Sequence, residues 1–128
     1  MFEFYNPNPC KILVGDCVVR AISLAENKTW RETFIDLCTQ GYMMCDMPSS
    51  NAVWHEYLLQ HGYDKQILGN VTISQFADEH PQGTYILGTG EHAVCVKDGG
   101  KYLDTWNSGN ELVLVCFKKT ERSNNAVQ

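Results

Sequence analysis

The stretch TYILGTGEHAVCVKDGGKYLDTWNSGNELVLVCF, from Thr84 to Phe117, limits this chain more than any other part of it. It is rich in Val, Ile, Tyr and Phe and is broken every few residues by Gly-containing turns, which predicts consecutive strands in an antiparallel meander. Everything between Cys17 and Pro81 has helical spacing instead. Val18, Ala21, Ile22 and Ala25 share one face of a first helix starting near Cys17. TWRE is a capping box, with Thr29 as N-cap and Glu32 reaching back, ahead of a stripe of Trp30, Phe34, Leu37 and Cys38 that Gly41 is expected to stop. PSSN announces a third helix carrying Val53, Trp54, Tyr57 and Leu58 up to Gly62, and a shorter one spans about Ile73 to Glu79. The fold class is therefore α+β, with N-terminal helices packed on a C-terminal antiparallel sheet. Before the helices, YNPNPCK is an extended arm stiffened by Pro7 and Pro9. At 128 residues the chain is expected to form one domain over 1–118 with a polar, disordered tail over 119–128.

Ten Lys and Arg against fifteen Asp and Glu give a net charge of −5, which argues against a nucleic-acid surface. No window approaches the roughly 18 apolar residues of a membrane span, and MFEFYNPNPCK lacks the basic-then-apolar order of a signal peptide. A cytoplasmic location, no membrane and no nucleic acid are the expectations. The six cysteines then read as free thiols rather than as three disulfides, with Cys38, Cys95 and Cys116 acting as small hydrophobes. The spacings Cys10-x6-Cys17 and Cys38-x6-Cys45 are not those of zinc knuckles, so no metal and no cofactor are expected.

Cys17 stands apart from the other five. It follows Gly15-Asp16 at the head of the first helix, where free backbone N–H groups favour a thiolate. A thiolate nucleophile needs a base, and the base needs an orienting group. His55, His61 and His80 read as solvated or capping residues, whereas His92 opens HAVCV. Asp104 lies in the neighbouring strand. If the loop is Asp98-Gly99-Gly100, Lys97 faces Lys101, and His92 and Asp104 become diagonal neighbours on one face, suited to an Nδ1–carboxylate bond. A two-residue loop would separate them. Asp16 either opposes the thiolate or caps the helix.

The order Cys at a helix head, His at a strand start, then Asp on the next strand resembles that of papain-like cysteine peptidases, and Asp104-Thr105-Trp106 is similar to their Asn-Ser-Trp. GDCVVRAIS and HAVCVKDGGKYLDTW together resemble the small papain-like proteins of bacteria and phages. The resemblance spans about Val14 to Phe117. It implies a papain-like fold and a thiol-dependent hydrolase of a peptide, isopeptide or amide bond, with Cys17, His92 and Asp104 as catalytic residues and Trp106 screening the His–Asp bond. The family's oxyanion Gln, six residues before the nucleophile, is replaced by Lys11. Asn8 and Asn6 are the candidate replacements, beside the Cys17 N–H. Met43, Met44 and Met47 are candidates for a substrate lip. The expected partner is a protein or peptide substrate. Two other readings use the same residues or scaffold: a Cys-His-Asp acyl transferase, and a non-catalytic binding protein such as a phage-type inhibitor of a host factor.

Overall fold

The computed structural model describes residues 1–120. In chain order the elements are β1 (Phe2–Phe4), α1 (Cys17–Glu26), α2 (Trp30–Met44), α3 (Asn51–Gln60), β2 (Tyr63–Ile67), α4 (Ile73–Glu79), β3 (Tyr85–Gly88), β4 (Ala93–Lys97), β5 (Lys101–Asp104) and β6 (Val115–Lys119). The strands form one six-stranded sheet in the order β1-β5-β4-β3-β6-β2. The class is α+β, as expected. Only β3, β4 and β5 form the predicted meander. β6 returns to pair with β3, and β2, inside the helical half, extends the sheet beyond it. β1 pairs parallel to β5, so the sheet is mixed rather than purely antiparallel. β6 also carries Lys118 and Lys119, which moves the end of the ordered domain past 118; the predicted tail from residue 121 onward lies outside the described residues.

The central strands are apolar on both faces because both are covered. Ile86, Cys95, Leu103 and Phe117 pack with Ala21, Ile22, Leu37, Trp54 and Leu58 of α1, α2 and α3. Leu87, Val94, Val96 and Cys116 pack on the other side with Ile73, Phe76 and Ala77 of α4. α1 therefore lies directly over β4, with its N-terminus near the end of the strand that His92 precedes.

Local chemistry explains most boundaries. Thr29 and Thr72 each close a full capping box, with Glu32 and Gln75 respectively. The hairpin between β4 and β5 has the predicted register, Lys97 opposite Lys101, over a loop in which Asp98, Gly99 and Gly100 all have positive φ. α2 departs from expectation: it runs through Gly41 to Met44 and ends on Cys45 in the left-handed region. Gly41 serves close packing instead, since a Cβ there would lie 2.6 Å from the Asp46 carbonyl oxygen. The predicted stripe of α2 also divides. Leu37 is in the core, while Trp30 and Phe34 stack on each other at 5.2 Å outside it.

Candidate active site

Three chain segments meet at the end of the sheet. The first is the head of α1. Its first internal bond is from the Arg20 N–H to the Asp16 carbonyl (2.8 Å), so the N–H groups of Cys17, Val18 and Val19 have no acceptor within the helix. The second is the tight turn between β3 and β4, closed by Thr89 N–H to His92 O (2.9 Å) and tied to α3 by the Asn51 amide on Gly90 O (3.1 Å). His92 is the last residue of this turn rather than the first of β4. The third is the C-terminal end of β5, Asp104.

His92 Nε2 donates to Asp104 Oδ2 at 2.6 Å. The predicted pair is present, but through Nε2 instead of Nδ1, which leaves Nδ1 unengaged by the carboxylate. The predicted parity also needs correction. Strict alternation would send Asp104 to the side of Val94 and Tyr102, under α4, yet its carboxylate meets Arg20 of α1. The pair forms where both strands end, and the pleat no longer dictates the face.

Asp104 is 1% exposed and accepts from four donors: His92 and Ser108 Oγ (2.7 Å) on Oδ2, Arg20 Nη2 (3.0 Å) and its neighbour's N–H, Thr105 (2.8 Å), on Oδ1. Burial alone would raise its pKa, but the His92 and Ser108 hydrogen bonds and the His92 charge hold it below the ordinary value. Burial would likewise discharge His92, yet its bonds to Asp104 and Cys17 raise it to about 9. Burial pushes the Cys17 thiol up; hydrogen bonding with His92 and the Ala93 N–H, together with the His92 and Arg20 charges, brings it below its usual 9.0. The three shifts run in one direction, each favouring the charged form of its group: thiolate, imidazolium, carboxylate.

The site opens on a cavity of about 670 Å³. Cys17 and His92 line it together with Val14, Trp30, Phe34 and Trp54. Its two lining carboxylates differ. Asp16 is ion-paired with Arg20 and accepts from Trp30 Nε1 at 2.8 Å, whereas Glu91 is exposed at the rim. Asp16 is the N-cap residue but makes no side-chain cap bond, so the ion pair is its role. Trp106, 46% exposed, lies with its ring centroid 4.9 Å from that of His92, the two rings tilted by 46°.

Other candidates are not brought to the site. Asn6 and Asn8 are buried and serve their own arm: the Asn6 amide donates to Ile12 O (3.2 Å) while its oxygen accepts from Asn8 N–H, and Asn8 Oδ1 accepts from Cys10 N–H (2.8 Å). Neither lines the cavity, and Lys11 turns its Nζ onto Asn6 O. Met43 and Met44, at the end of α2, and Met47, in the loop after it, are exposed but do not line the cavity, to which that loop gives Pro48 and Ser49. His80 ends α4 with Nδ1 on Phe76 O, and His61 binds Tyr57 O. His55 is half-buried against Trp54 and Phe117 rather than solvated.

The sequence reading missed Arg20, Ser108 and the aromatic wall. Arg20 carried a signal: Asp16 and Arg20 are spaced i, i+4 on a helix, with Arg20 set inside an apolar run. Ser108 carried none, since it reaches Asp104 only through the turn after β5.

Among the described residues, no group of three or more His, Cys, Asp or Glu is gathered to hold a metal, and no helix is long and apolar enough to cross a membrane. Comparison of the chain with family models, with curated proteins and with solved structures finds no match.

Proposed function

We propose that this protein is a papain-like thiol hydrolase that cleaves an amide, peptide or isopeptide bond on the carbonyl side of an uncharged, apolar group. The observation that carries this reading is the relay from Cys17 through His92 to the buried carboxylate of Asp104, with its thiol end facing an aromatic cavity. The Cys17 thiolate attacks the carbonyl carbon, forming a C–S bond and a tetrahedral oxyanion. The free N–H groups at the head of α1, that of Cys17 first, are the donors placed for that charge. Collapse breaks the C–N bond, and His92 passes a proton from Nδ1 to the departing amine. Water then attacks the thioester, His92 takes its proton, and C–S cleavage restores the thiolate. Throughout, Asp104 keeps Nε2 protonated and the ring oriented. The cavity wall of Trp30, Phe34, Trp54 and Val14 favours an apolar acyl side chain, and Glu91 at the rim disfavours an acidic one.

The non-catalytic alternative gives no reason for a carboxylate with four donors buried behind a histidine. The test is the pH dependence of Cys17 alkylation by iodoacetamide, read by mass spectrometry in the parent and in His92→Ala. Cys17 is expected to react far faster below pH 7 than the exposed Cys10 and Cys45, and to slow when His92 is removed. A Cys17 that titrates near its usual 9.0 and ignores His92 would overturn the proposal.

A further inference from the structure

Arg20 sits one turn into α1 with its side chain 7% exposed, and both ends of its guanidinium are in use. Nη2 donates to Asp104 Oδ1 and Nη1 to Asp16 Oδ1. Asp16 precedes Cys17 in the chain, so the contacts close a ring: Asp16, Cys17, His92, Asp104, Arg20 and back to Asp16. Trp30 fixes the outer oxygen of Asp16 from the cavity wall. We infer that Arg20 is the positioning residue of this site: it cancels the carboxylate beside the nucleophile and clamps Asp104 so that Oδ2 is presented to His92.

The physical need for such a residue is specific. Without a cation, a buried carboxylate next to Cys17 would oppose the thiolate, and two carboxylates would face a single imidazolium. A planar fork holds both on separate nitrogens in a fixed geometry; an ammonium offers three donors on one atom and fixes neither orientation. The ring also divides the labour on Asp104. Arg20 and Thr105 hold Oδ1, while Ser108 and His92 share Oδ2, so the carboxylate cannot rotate without breaking bonds on both oxygens.

This inference rests on the catalytic reading and is tested apart from it. The charged groups facing Cys17 and His92 are Asp16 and Arg20 from α1, Asp104 from β5 and Glu91 at the cavity rim. Cys17 alkylation is followed against pH in the parent, Arg20→Lys, Arg20→Met, and Arg20→Met combined with Asp16→Asn, with thermal melting of each. In Arg20→Met the inflection moves up by about one pH unit, which is about tenfold slower alkylation on its acid side. Arg20→Lys shows a smaller upward shift, because it keeps the charge and loses the fork. Adding Asp16→Asn to Arg20→Met returns part of the shift, because the repulsion is gone while Asp104 remains loose.

A residue that merely stabilises the fold would lower the melting temperature and leave every inflection where the parent has it; that result overturns the inference. If Arg20→Met does not fold, an Arg20→Lys profile superimposed on the parent's overturns it equally. Failure of the catalytic reading looks different: the parent itself would show an ordinary, His92-independent thiol, and the inference would fall with it.

Discussion

Two regions of this molecule take a cysteine out of water, with opposite results. In β4 and β6, Cys95 and Cys116 are enclosed by side chains of the core, and burial pushes both thiols up to about 12. At the head of α1, burial acts on Cys17 in the same direction, yet that thiol ends below its usual value. Cys17 is less deeply buried than Cys95, but burial raises both thiols, and the opposite outcome comes from what replaces the lost water. Around Cys95, only the distant charges of Lys97, Asp98 and Lys119 are felt. Around Cys17 stand a histidine held protonated by a buried carboxylate, a backbone N–H and a guanidinium. Desolvation makes a thiol inert or reactive according to whether fixed positive partners meet the charge it would carry.

The largest change should come from dismantling those partners. Asp104→Asn presents an amide to four donors, so its NH₂ must face two of them, and Arg20 loses one of its two anions. The expected loss is about 3–5 kcal/mol in urea unfolding, as for breaking a buried pair, with the Cys17 inflection moving up toward that of an ordinary thiol. A stability loss without that movement would mean that the carboxylate only holds the fold.

The core thiol gives the converse. Cys95→Ser places a hydroxyl among Ile22, Leu103 and Phe117 and should cost about 1–3 kcal/mol, while the Cys17 alkylation profile stays unchanged. Cys17→Ser should do the reverse, abolishing turnover at a stability cost below about 1 kcal/mol, because its site is polar and half-open.

Acid and alkali should find the two sides of the relay separately. The folded-state pKa of His92, about 9, lies above its ordinary 6.5, so its contribution to stability is complete below about pH 6.5 and is lost as pH rises through 9. Asp104 is shifted downward, so its contribution is present above its ordinary 3.8 and is lost as pH falls through the lowered value. Urea midpoints across pH should therefore fall at both ends in the parent, and His92→Ala should remove the alkaline decline that His92 causes.

The smallest effect is expected from Trp106→Ala. It removes the ring packed beside His92 and leaves the hydrogen bonds of His92 and Asp104 in place; if the ring shields their bond from water, the change should slow Cys17 alkylation at pH 6 by about three- to tenfold. No change would mean that Trp106 does not shield the bond.

Much of this comparison could be read in the chain. The capping box at Thr29 depends on neighbours three residues apart and appears where the pattern put it, and α1 starts at Cys17 as its apolar spacing predicted. The Asp98-Gly99-Gly100 loop fixed the hairpin register, which sets His92 and Asp104 at the same end of the hairpin, but not the face on which they meet. The core cysteines were likewise legible from the apolar runs around them. The methionine loop and the asparagine arm misled for one reason: composition says what a side chain can contact, not which way its segment faces.

Neighbouring residues settle local features: where helices begin, how one hairpin turns, and which thiol lies at a helix head. Short-range hydrogen bonds and fixed dihedral preferences decide such features within a few residues. Tertiary structure alone decided that β6 returns beside β3 and that β1 lies parallel to β5. It also decided that Arg20 reaches across 84 positions to Asp104, and that His92 offers Nε2 to that carboxylate while standing beside Cys17. Those outcomes depend on how α1 packs over the end of the sheet, and no window of neighbouring residues carries that information.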